Sequence, residues 1–257
     1  MGSGELAGRG ASLRGQVALV TGGAVRLGRA ISEALAAEGV HVVVHYRASA
    51  AEAEATVARL RGAGVGAWAL QADLSAPAEA AGLVGRAAEL AARPLDILVN
   101  SAGVWRASRL LEFAPDELQA DLQVNALAPL QLCRDFAAQG RPGQIVNLLD
   151  ARIVAYDAAH AAYHLSKRML FSLTRMLALE LAPGIRVNAV APGLILPPRG
   201  EGEPFLKSLA HTNPLRTHGA AEDVARAVVF LLRSPFVTGQ VIYVDGGRHL
   251  RGSTYGA

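Results

Sequence analysis

The chain has 257 residues, of which 51 % are hydrophobic and 18 % are charged, so it can bury a large core and is not an intrinsically disordered protein. A formal net charge of +3 without a basic block disfavours nucleic-acid binding. A single cysteine, Cys133, excludes an internal disulfide and a zinc site built on several thiolates. No apolar run approaches the roughly 18 residues of a membrane span, and no secretory leader is recognisable, so we expect a cytoplasmic protein without membrane partners.

Short apolar runs alternate with helical periodicity along most of the chain. Residues 1–15 are small, Gly-rich and aperiodic, which is typical of a mobile tail, and we assign residues 16–257 to one domain. The predicted strands are 16–21, 41–45, 67–71, 97–100, 144–148, 186–190 and 241–244. The predicted helices are 27–37, 50–61, 76–91, 115–138, 160–181 and 221–232. This alternation predicts a single α/β domain with a Rossmann-type, doubly wound parallel sheet flanked by helices.

The first predicted strand runs into the turn TGGAVRLG, residues 21–28. Gly22 permits a tight turn, and Gly28 permits close packing of the following helix on the sheet. The N-terminus of that helix would offer N–H groups and a positive dipole to a pyrophosphate, although a purely structural turn has the same pattern. Arg26 stands where dinucleotide-binding turns usually have a glycine.

The second predicted strand is followed by Tyr46, Arg47 and Ser49, with no acidic residue between Val40 and Ala51. In a dinucleotide fold this strand end meets the adenosine ribose, where an acidic residue would select NAD. Arg47 can instead pair with a 2′-phosphate, and Ser49 can donate a neutral hydrogen bond. The alternative is an exposed basic loop. We predict NADP(H) as the cofactor.

Tyr163 and Lys167 are four residues apart in a predicted helix, so their side chains share one face. A nearby ammonium stabilises tyrosinate and lowers the pKa of the phenol, which lets the tyrosine act as a proton donor and acceptor. Such pairs also arise by chance. Here, however, Lys167 and Lys207 are the only lysines among 25 basic residues, so the choice of lysine is informative.

Further motifs follow in chain order. They are Asp73-Leu74, Asn100-Ser101-Ala102-Gly103, Asn125, Pro192-Gly193 and Asp245-Gly246-Gly247. With the turn at 21–28 and the Tyr163/Lys167 pair, this order resembles the short-chain dehydrogenase/reductase family over roughly residues 16–247. The resemblance implies NAD(P)H-dependent hydride transfer, with Lys167 also holding the nicotinamide ribose and Asn125 in a proton relay. It implies cofactor contacts at Gly22, Arg26, Leu27, Tyr46, Arg47, Ser49, Asp73, Leu74, Asn100, Ala102, Tyr163, Lys167, Pro192 and Gly193.

Two departures from the family pattern indicate a subgroup. Asp150 stands 13 residues before Tyr163, where most members have serine, and Arg26 replaces a glycine. Together they resemble the pteridine reductases, whose substrates need a proton delivered to a ring nitrogen. An Asp150–Tyr163 pair could supply that proton, whereas the alternative for Asp150 is a buried structural acid or a helix cap. Trp105 corresponds by the resemblance to an aromatic side chain that stacks on the pterin, and Arg26 would reach the pterin's polar edge.

The expected function is therefore NADPH-dependent reduction of a pterin or folate, with Asp150, Tyr163, Lys167 and Asn125 as catalytic residues and Arg26, Trp105, Asp150 and Tyr163 as substrate contacts. The alternatives are a carbonyl reductase, such as a 3-oxoacyl-carrier-protein reductase, and an NADP-binding sensor without turnover. The resemblance also implies a homotetramer built on helices 115–138 and 160–181.

Smaller features leave parts of the site open. Ser101 replaces an asparagine of the family motif, and Ile195 stands where some pteridine reductases have a pterin-contacting serine. The loop 196–218, with four prolines, is expected to form a substrate lid. His160 and His164 flank Tyr163 and are interpreted as helix surface rather than as a metal site, and no metal is expected.

Overall fold

The computed structural model describes residues 11–155, 158–198 and 200–250. Seven parallel strands form its central sheet. They are β1 (Val17–Thr21), β2 (His41–Tyr46), β3 (Ala67–Gln71), β4 (Ile97–Asn100), β5 (Gly143–Leu148), β6 (Ile185–Pro192) and β7 (Val241–Val244). The order β3-β2-β1-β4-β5-β6-β7 changes direction at β1, so the sheet is doubly wound and the predicted fold class is confirmed.

Helices cover both faces of the sheet. They are α1 (Arg26–Ala37), α2 (Ala50–Gly62), α3 (Pro77–Ala80), α4 (Leu83–Leu90), α5 (Pro115–Leu122), α6 (Ala128–Ala137), α7 (Ala161–Glu180), α8 (Glu203–Leu209) and α9 (Ala221–Arg233). Buried side chains of α1, α2 and α9 pack on one face, and those of α4, α6 and α7 pack on the other. In the part of the chain that the structure describes, every helix is too short or too polar to cross a lipid bilayer.

The apolar strand β1 lies between these two layers, and each of its five residues is buried. Ala18 and Val20 pack with one layer, whereas Val17 and Leu19 pack with the other. This two-sided burial explains why a parallel central strand has a continuous apolar sequence rather than an alternating one. At its carboxyl end the register aligns Thr21 with Asn100 of β4, and Asn100 with Asn147 of β5, so polar residues collect at one edge of the sheet.

The segment before β1 is more ordered than predicted. Leu13 is 1 % exposed and packs with the layer of α1, α2 and α9, and the Gly15 N–H donates to the Gly39 carbonyl at 2.9 Å. The prediction of a mobile tail over residues 1–15 is therefore wrong for residues 11–15. Residues 1–10 lie outside the described residues. A single buried leucine in a Gly-rich stretch produces no periodicity, so the hydrophobic pattern did not predict that Leu13 is buried.

Two long predicted helices are interrupted. The predicted helix 76–91 is divided into α3 and α4, because Ala81 is extended and Gly82 has φ +76°. A left-handed residue ends a helix, and glycine adopts that conformation without strain. The predicted helix 115–138 is divided by a π-helical turn at Gln123–Leu127, which contains Asn125. Such turns often occur at functional sites.

Candidate active site

Two cavities lie along the carboxyl edge of the sheet and share Gly103 and Val104. The small cavity, of about 230 Å³, is lined by the predicted cofactor residues Gly22, Tyr46, Arg47, Ser49, Asp73, Leu74 and Ala102. The large cavity, of about 360 Å³, is lined by Arg26, Leu27, Trp105, Asp150, Tyr163, Lys167, Pro192 and Gly193. Of the predicted site residues, only Asn100 and Asn125 line neither of these two cavities.

The start of α1 lies between the two cavities, because Val25 lines the small one and Leu27 lines the large one. A Cβ on Gly28 would lie 2.1 Å from the Gly22 carbonyl oxygen, so only glycine permits this close approach. The first turn of α1 has no acidic residue and no side-chain cap. Its N–H groups and positive dipole therefore fit the anionic phosphates of a dinucleotide.

Arg26 has a left-handed backbone with φ +52°, which explains why glycine is usual at this point of a phosphate-binding turn. Its guanidinium Nη2 donates to the Pro197 carbonyl at 2.7 Å. The side chain thereby connects the phosphate-binding turn to the first residues of the expected lid. The role of Arg26 in contacting both cofactor and substrate stays a prediction.

The small cavity has the polarity expected for a phosphorylated ribose. Arg47 is exposed at its rim, and Ser49 lies beside it. Asp73 accepts hydrogen bonds from the Ser75 N–H at 2.9 Å and the Ser75 hydroxyl at 2.7 Å, and these bonds hold the pKa of the Asp73 carboxyl below its ordinary value. The carboxylate thus stabilises its own turn, which leaves Arg47 as the residue suited to a 2′-phosphate.

The floor between the cavities is kept open by Gly103. A Cβ there would lie 3.1 Å from Asn125 Oδ1 and 3.6 Å from Lys167 Nζ. A side chain at position 103 would fill the space beside the Lys167 ammonium, which glycine leaves available to a ligand. The residues present therefore fit a dinucleotide that extends from the small cavity into the large one.

Tyr163 and Asp150 meet in the large cavity. The Tyr163 hydroxyl donates to Asp150 Oδ2 at 2.9 Å, while Asp150 Oδ1 accepts the Arg152 N–H at 2.7 Å. Asp150 therefore also caps the short 3-10 helix Ala151–Val154, so the structural alternative of a helix cap is confirmed, while the catalytic role of Asp150 stays a prediction. Lys167 Nζ donates to the Leu148 carbonyl at 2.7 Å and lies 6.0 Å from the centre of the Tyr163 ring.

The pKa of Tyr163 differs from the sequence-based expectation. Burial raises it well above its ordinary value, and the Asp150 carboxylate raises it further. A net lowering by Lys167 is therefore wrong for this arrangement, because burial and the nearby carboxylate outweigh the effect of the ammonium, which is bound to the Leu148 carbonyl. Burial lowers the pKa of Lys167 to about 8, against the opposing effect of Asp150. Burial and Asp150 therefore keep the Tyr163 phenol protonated.

The two predicted site residues outside the cavities have buried side chains. Asn125 Nδ2 donates to Ser166 Oγ at 2.9 Å and to the Val104 carbonyl at 3.0 Å, and its Oδ1 accepts the Val104 N–H at 2.9 Å. Asn125 thus fixes the loop after β4 on α7, and its role in a proton relay stays a prediction. Asn100 Nδ2 donates to Asn147 Oδ1 at 2.8 Å, which directs its side chain into the protein interior.

The outer part of the large cavity is apolar. Trp105 is 52 % exposed and stacks on the His160 ring, with centroids 4.3 Å apart and planes 14° apart. Phe205 and Leu209 of the expected lid complete this part of the wall.

Ile195 is buried and packs with the hydrophobic core, so it is not among the lining residues of the large cavity. His164 is 6 % exposed, so its interpretation as helix surface is wrong.

Several residues of the site were not identified from the sequence. Arg152 and Arg248 line the large cavity, and His45 lines the small one. Ser101 also lines the large cavity, and its N–H donates to Thr21 Oγ1 at 3.0 Å. The position of His45 at the end of a predicted strand was an available signal. No sequence signal marked Arg152 and Arg248, because arginine is frequent along the whole chain.

Comparisons with known proteins agree with this geometry. A family model described as enoyl-(acyl carrier protein) reductase matches residues 23–249. A 3-oxoacyl-[acyl-carrier-protein] reductase from Synechocystis is 35 % identical over 247 residues, covering 92 % of this chain and 98 % of that protein. The crystal structure of FolM alternative dihydrofolate reductase 1 from Brucella canis with NADP has a TM-score of 0.87 and 32 % identity, covering 96 % of this chain and 98 % of that one. A short-chain dehydrogenase from Burkholderia cenocepacia with NADP has a TM-score of 0.86 and 34 % identity, covering 93 % and 99 %.

Proposed function

The chain belongs to the short-chain dehydrogenase/reductase family, and on that premise we propose that it is an NADPH-dependent pteridine reductase. Its substrates would be dihydropterins, with dihydrofolate and fully oxidised pterins as further candidates. The observation that carries the proposal is the hydrogen bond from Tyr163 to Asp150, at the position where most of the family has serine. The likeness to the Brucella FolM structure, named as an alternative dihydrofolate reductase, supports it.

NADPH is the proposed cofactor because Arg47 and Ser49 lie where the adenosine ribose would bind. Arg47 can form charge-assisted hydrogen bonds with a 2′-phosphate, and the nearest acidic residue after β2 is Glu52, inside α2. The Brucella and Burkholderia structures were determined with NADP. A bound NADPH would supply a hydride to a ring carbon of the substrate.

The protein's own contribution is the proton. Tyr163 faces the large cavity as a protonated phenol and would donate to the ring nitrogen of the reduced C=N bond. This donation leaves a phenolate, and the ionised Asp150 carboxylate would take up a proton from solvent in the cavity and pass it to the phenolate across the 2.9 Å that separates the two oxygens. Lys167, whose Nζ lies 6.0 Å from the centre of the Tyr163 ring, would stabilise the transient negative charge. A serine at position 150 could accept a hydrogen bond from Tyr163, but it could not take up a proton and pass it to the phenolate.

The cavity walls suit a flat, polar heterocycle. Trp105 is an exposed aromatic side chain in the wall of this cavity, and the Arg26 guanidinium also lines it. The cavity volume of about 360 Å³ is in the range of small-molecule sites. The substrate is thus proposed to lie between the aromatic wall and the nicotinamide ring, within reach of Tyr163.

Initial rates with NADPH test the proposal directly. Dihydrobiopterin, dihydromonapterin, dihydrofolate and an acetoacetyl thioester are compared side by side, and a parallel series with NADH tests the cofactor. We expect the dihydropterins to give the highest kcat/KM and NADPH to be preferred. Oxidation of NADPH with the thioester alone would contradict the pterin assignment. Tight NADPH binding without turnover of any substrate would instead support a sensor.

A 3-oxoacyl-carrier-protein reductase is the second candidate function. It is favoured by the 35 % identity to the Synechocystis enzyme of that name. The two candidates differ at Asp150, since polarising a ketone needs a hydroxyl donor. We expect Asp150→Ser to lower dihydropterin turnover by about 100-fold or more, the usual effect of losing a general acid or base, and to raise ketone turnover. Equal dihydropterin rates for the variant and the native enzyme would exclude a proton-transfer role for Asp150.

A further inference from the structure

His45, the fifth residue of β2, joins the carboxyl ends of three neighbouring strands. Its Nδ1 accepts the N–H of Gly22, the residue after β1, at 3.1 Å. Its Nε2 lies 3.1 Å from the carbonyl oxygen of Ala72, the residue after β3. Because an N–H can only donate and a carbonyl can only accept, the ring must be neutral with its proton on Nε2. The side chain is 2 % exposed, so water does not substitute for either partner.

The same residue also holds the next peptide of the turn. The Gly23 N–H donates to the His45 carbonyl at 2.9 Å, so two consecutive N–H groups of the phosphate-binding turn are bound to one residue. Gly22 has φ +64°, and because glycine is permissive in φ, the bonds to His45 help to select this conformation. With both peptides held, the chain enters α1 in the orientation that directs the free N–H groups of the first helical turn toward an anion.

Burial favours this neutral state. It lowers the pKa of His45 to about 4, with a further lowering by Arg86, while the hydrogen bond to Ala72 and the Asp73 carboxylate act in the opposite direction. The Nδ1 acceptor is thus available to Gly22 throughout the neutral range of pH. The ring is a fixed structural acceptor rather than a titrating group under ordinary conditions.

We propose that His45 is a positioning residue for the cofactor: its Nδ1 fixes the Gly22 peptide and so determines the affinity of the phosphate-binding turn for a dinucleotide. The proposal rests on the NADPH-dependent function proposed above. His45 is proposed to affect binding of the pyrophosphate and not of the 2′-phosphate. Gly22 begins the turn that leads to α1, whereas Arg47, the residue proposed to bind the 2′-phosphate, lies two residues beyond His45 at the cavity rim.

Substitutions at residue 45 can separate the two hydrogen bonds. Asparagine places its Oδ1 as many bonds from Cα as histidine Nδ1, so His45→Asn retains an acceptor for Gly22. Glutamine places its amide nitrogen as many bonds away as Nε2, so His45→Gln retains a donor for Ala72 alone. His45→Leu retains neither. We expect the NADPH Kd of His45→Asn to stay within about three-fold of the native value, and that of His45→Gln and His45→Leu to rise by about ten-fold, the effect of one lost hydrogen bond.

His41 provides a matched control at the other end of the same strand. Its Nδ1 accepts the Gly66 N–H at 2.7 Å, at the amino edge of the sheet and away from both cavities. His41→Leu should lower the melting temperature without changing the NADPH Kd. A second comparison uses the nucleotide: His45→Gln should weaken NADPH and NADH by the same factor, whereas Arg47→Ala should weaken NADPH alone.

Nitrogen-15 NMR of the nucleotide-free protein gives a readout that does not depend on activity. We expect the His45 Nδ1 resonance to be that of a bare, hydrogen-bonded nitrogen and Nε2 to be protonated. A protonated Nδ1, an unchanged NADPH Kd in His45→Gln, or equal losses in His45→Asn and His45→Leu would each overturn the role of His45. If the native protein bound no NADPH, the proposed function would fail as well, so the two failures are distinguishable.

Discussion

The Asp150 carboxylate is fixed through both of its oxygens, one by the Tyr163 hydroxyl and one by the Arg152 N–H. It therefore cannot rotate away from the phenol without losing the cap of the following 3-10 helix. A charge held this close keeps the pKa of Tyr163 high, and burial acts in the same direction. Burial and the carboxylate at this position together hold the tyrosine in its protonated form.

Lys167 should determine the alkaline limit of activity. Burial lowers its pKa to about 8, so above that pH the folded protein loses the ammonium that stabilises negative charge at Tyr163. We expect kcat/KM to fall with an apparent pKa near 8. In the unfolded chain the lysine would keep its proton up to its ordinary pKa of 10.5, so between these values the unfolded state binds more protons and this group makes the free energy of unfolding rise with pH. The loss of activity should therefore occur without unfolding.

The second lysine is the control for this prediction. Lys207 is exposed on α8 and pairs with Glu203 at 3.1 Å, away from the phenol. Lys207→Met should leave the pH–rate profile unchanged, whereas Lys167→Met should remove the alkaline limb together with most of the activity. A melting temperature recorded at each pH checks that the protein stays folded. An alkaline limb that persists in Lys167→Met would assign it to another group.

Arg26 has a strained backbone conformation and a side chain that forms a stabilising hydrogen bond. Its left-handed conformation costs about 1–2 kcal/mol for a residue with a Cβ, and its contact to the Pro197 carbonyl returns about 1 kcal/mol. Arg26→Gly relieves the strain as well as removing the side chain and its contact to Pro197. Arg26→Ala loses the contact alone and should be less stable than Arg26→Gly by about 1 kcal/mol. Urea unfolding of the two variants measures this difference, and equal stability would contradict the strain.

Periodicity predicted the elements well where one face or both faces of an element are apolar, as in β1 and α9. It failed where a single residue interrupts the pattern. Gly82 divides a helix whose apolar spacing continues across the break, and the π-helical turn around Asn125 shifts the register without changing the composition. Leu13 was missed for the opposite reason, since one buried side chain creates no pattern. Local rules describe runs of residues, whereas these features depend on contacts distant in sequence.

Leu13 should stabilise the fold measurably. It is 1 % exposed and packs with the layer formed by α1, α2 and α9. Leu13→Ala should lower the free energy of unfolding by about 2–4 kcal/mol, as expected for a buried leucine. Leu111 is 97 % exposed, and Leu111→Ala should change it by less than about 0.5 kcal/mol. Chemical denaturation compares the two, and equal effects would mean that residues 11–15 are not packed in solution.

The candidate site depends on the whole sheet, because its residues follow several different strands. Turn chemistry and motif spacing predicted most of them, since parallel strands bring their carboxyl ends to one edge. The directions of the side chains were not predictable: Asn100 turns inward to Asn147, and Asn125 bonds to Val104 and Ser166. The high pKa of Tyr163 likewise needed the burial and the Asp150 distance, which no sequence spacing provides.

The outer face of α7 is the surface through which we predict that copies of the chain associate. Leu165, Met176 and Leu179 are 43 %, 61 % and 83 % exposed, and their spacing places them on one side of the helix. We predict a homotetramer of 26.7 kDa subunits in which this face is buried, measurable by light scattering. Met176→Glu combined with Leu179→Glu should reduce the mass, because burying two carboxylates in an apolar interface is unfavourable. Leu90→Glu, at a 41 % exposed leucine of α4, should leave it unchanged. A native protein that is monomeric at micromolar concentration would contradict the prediction.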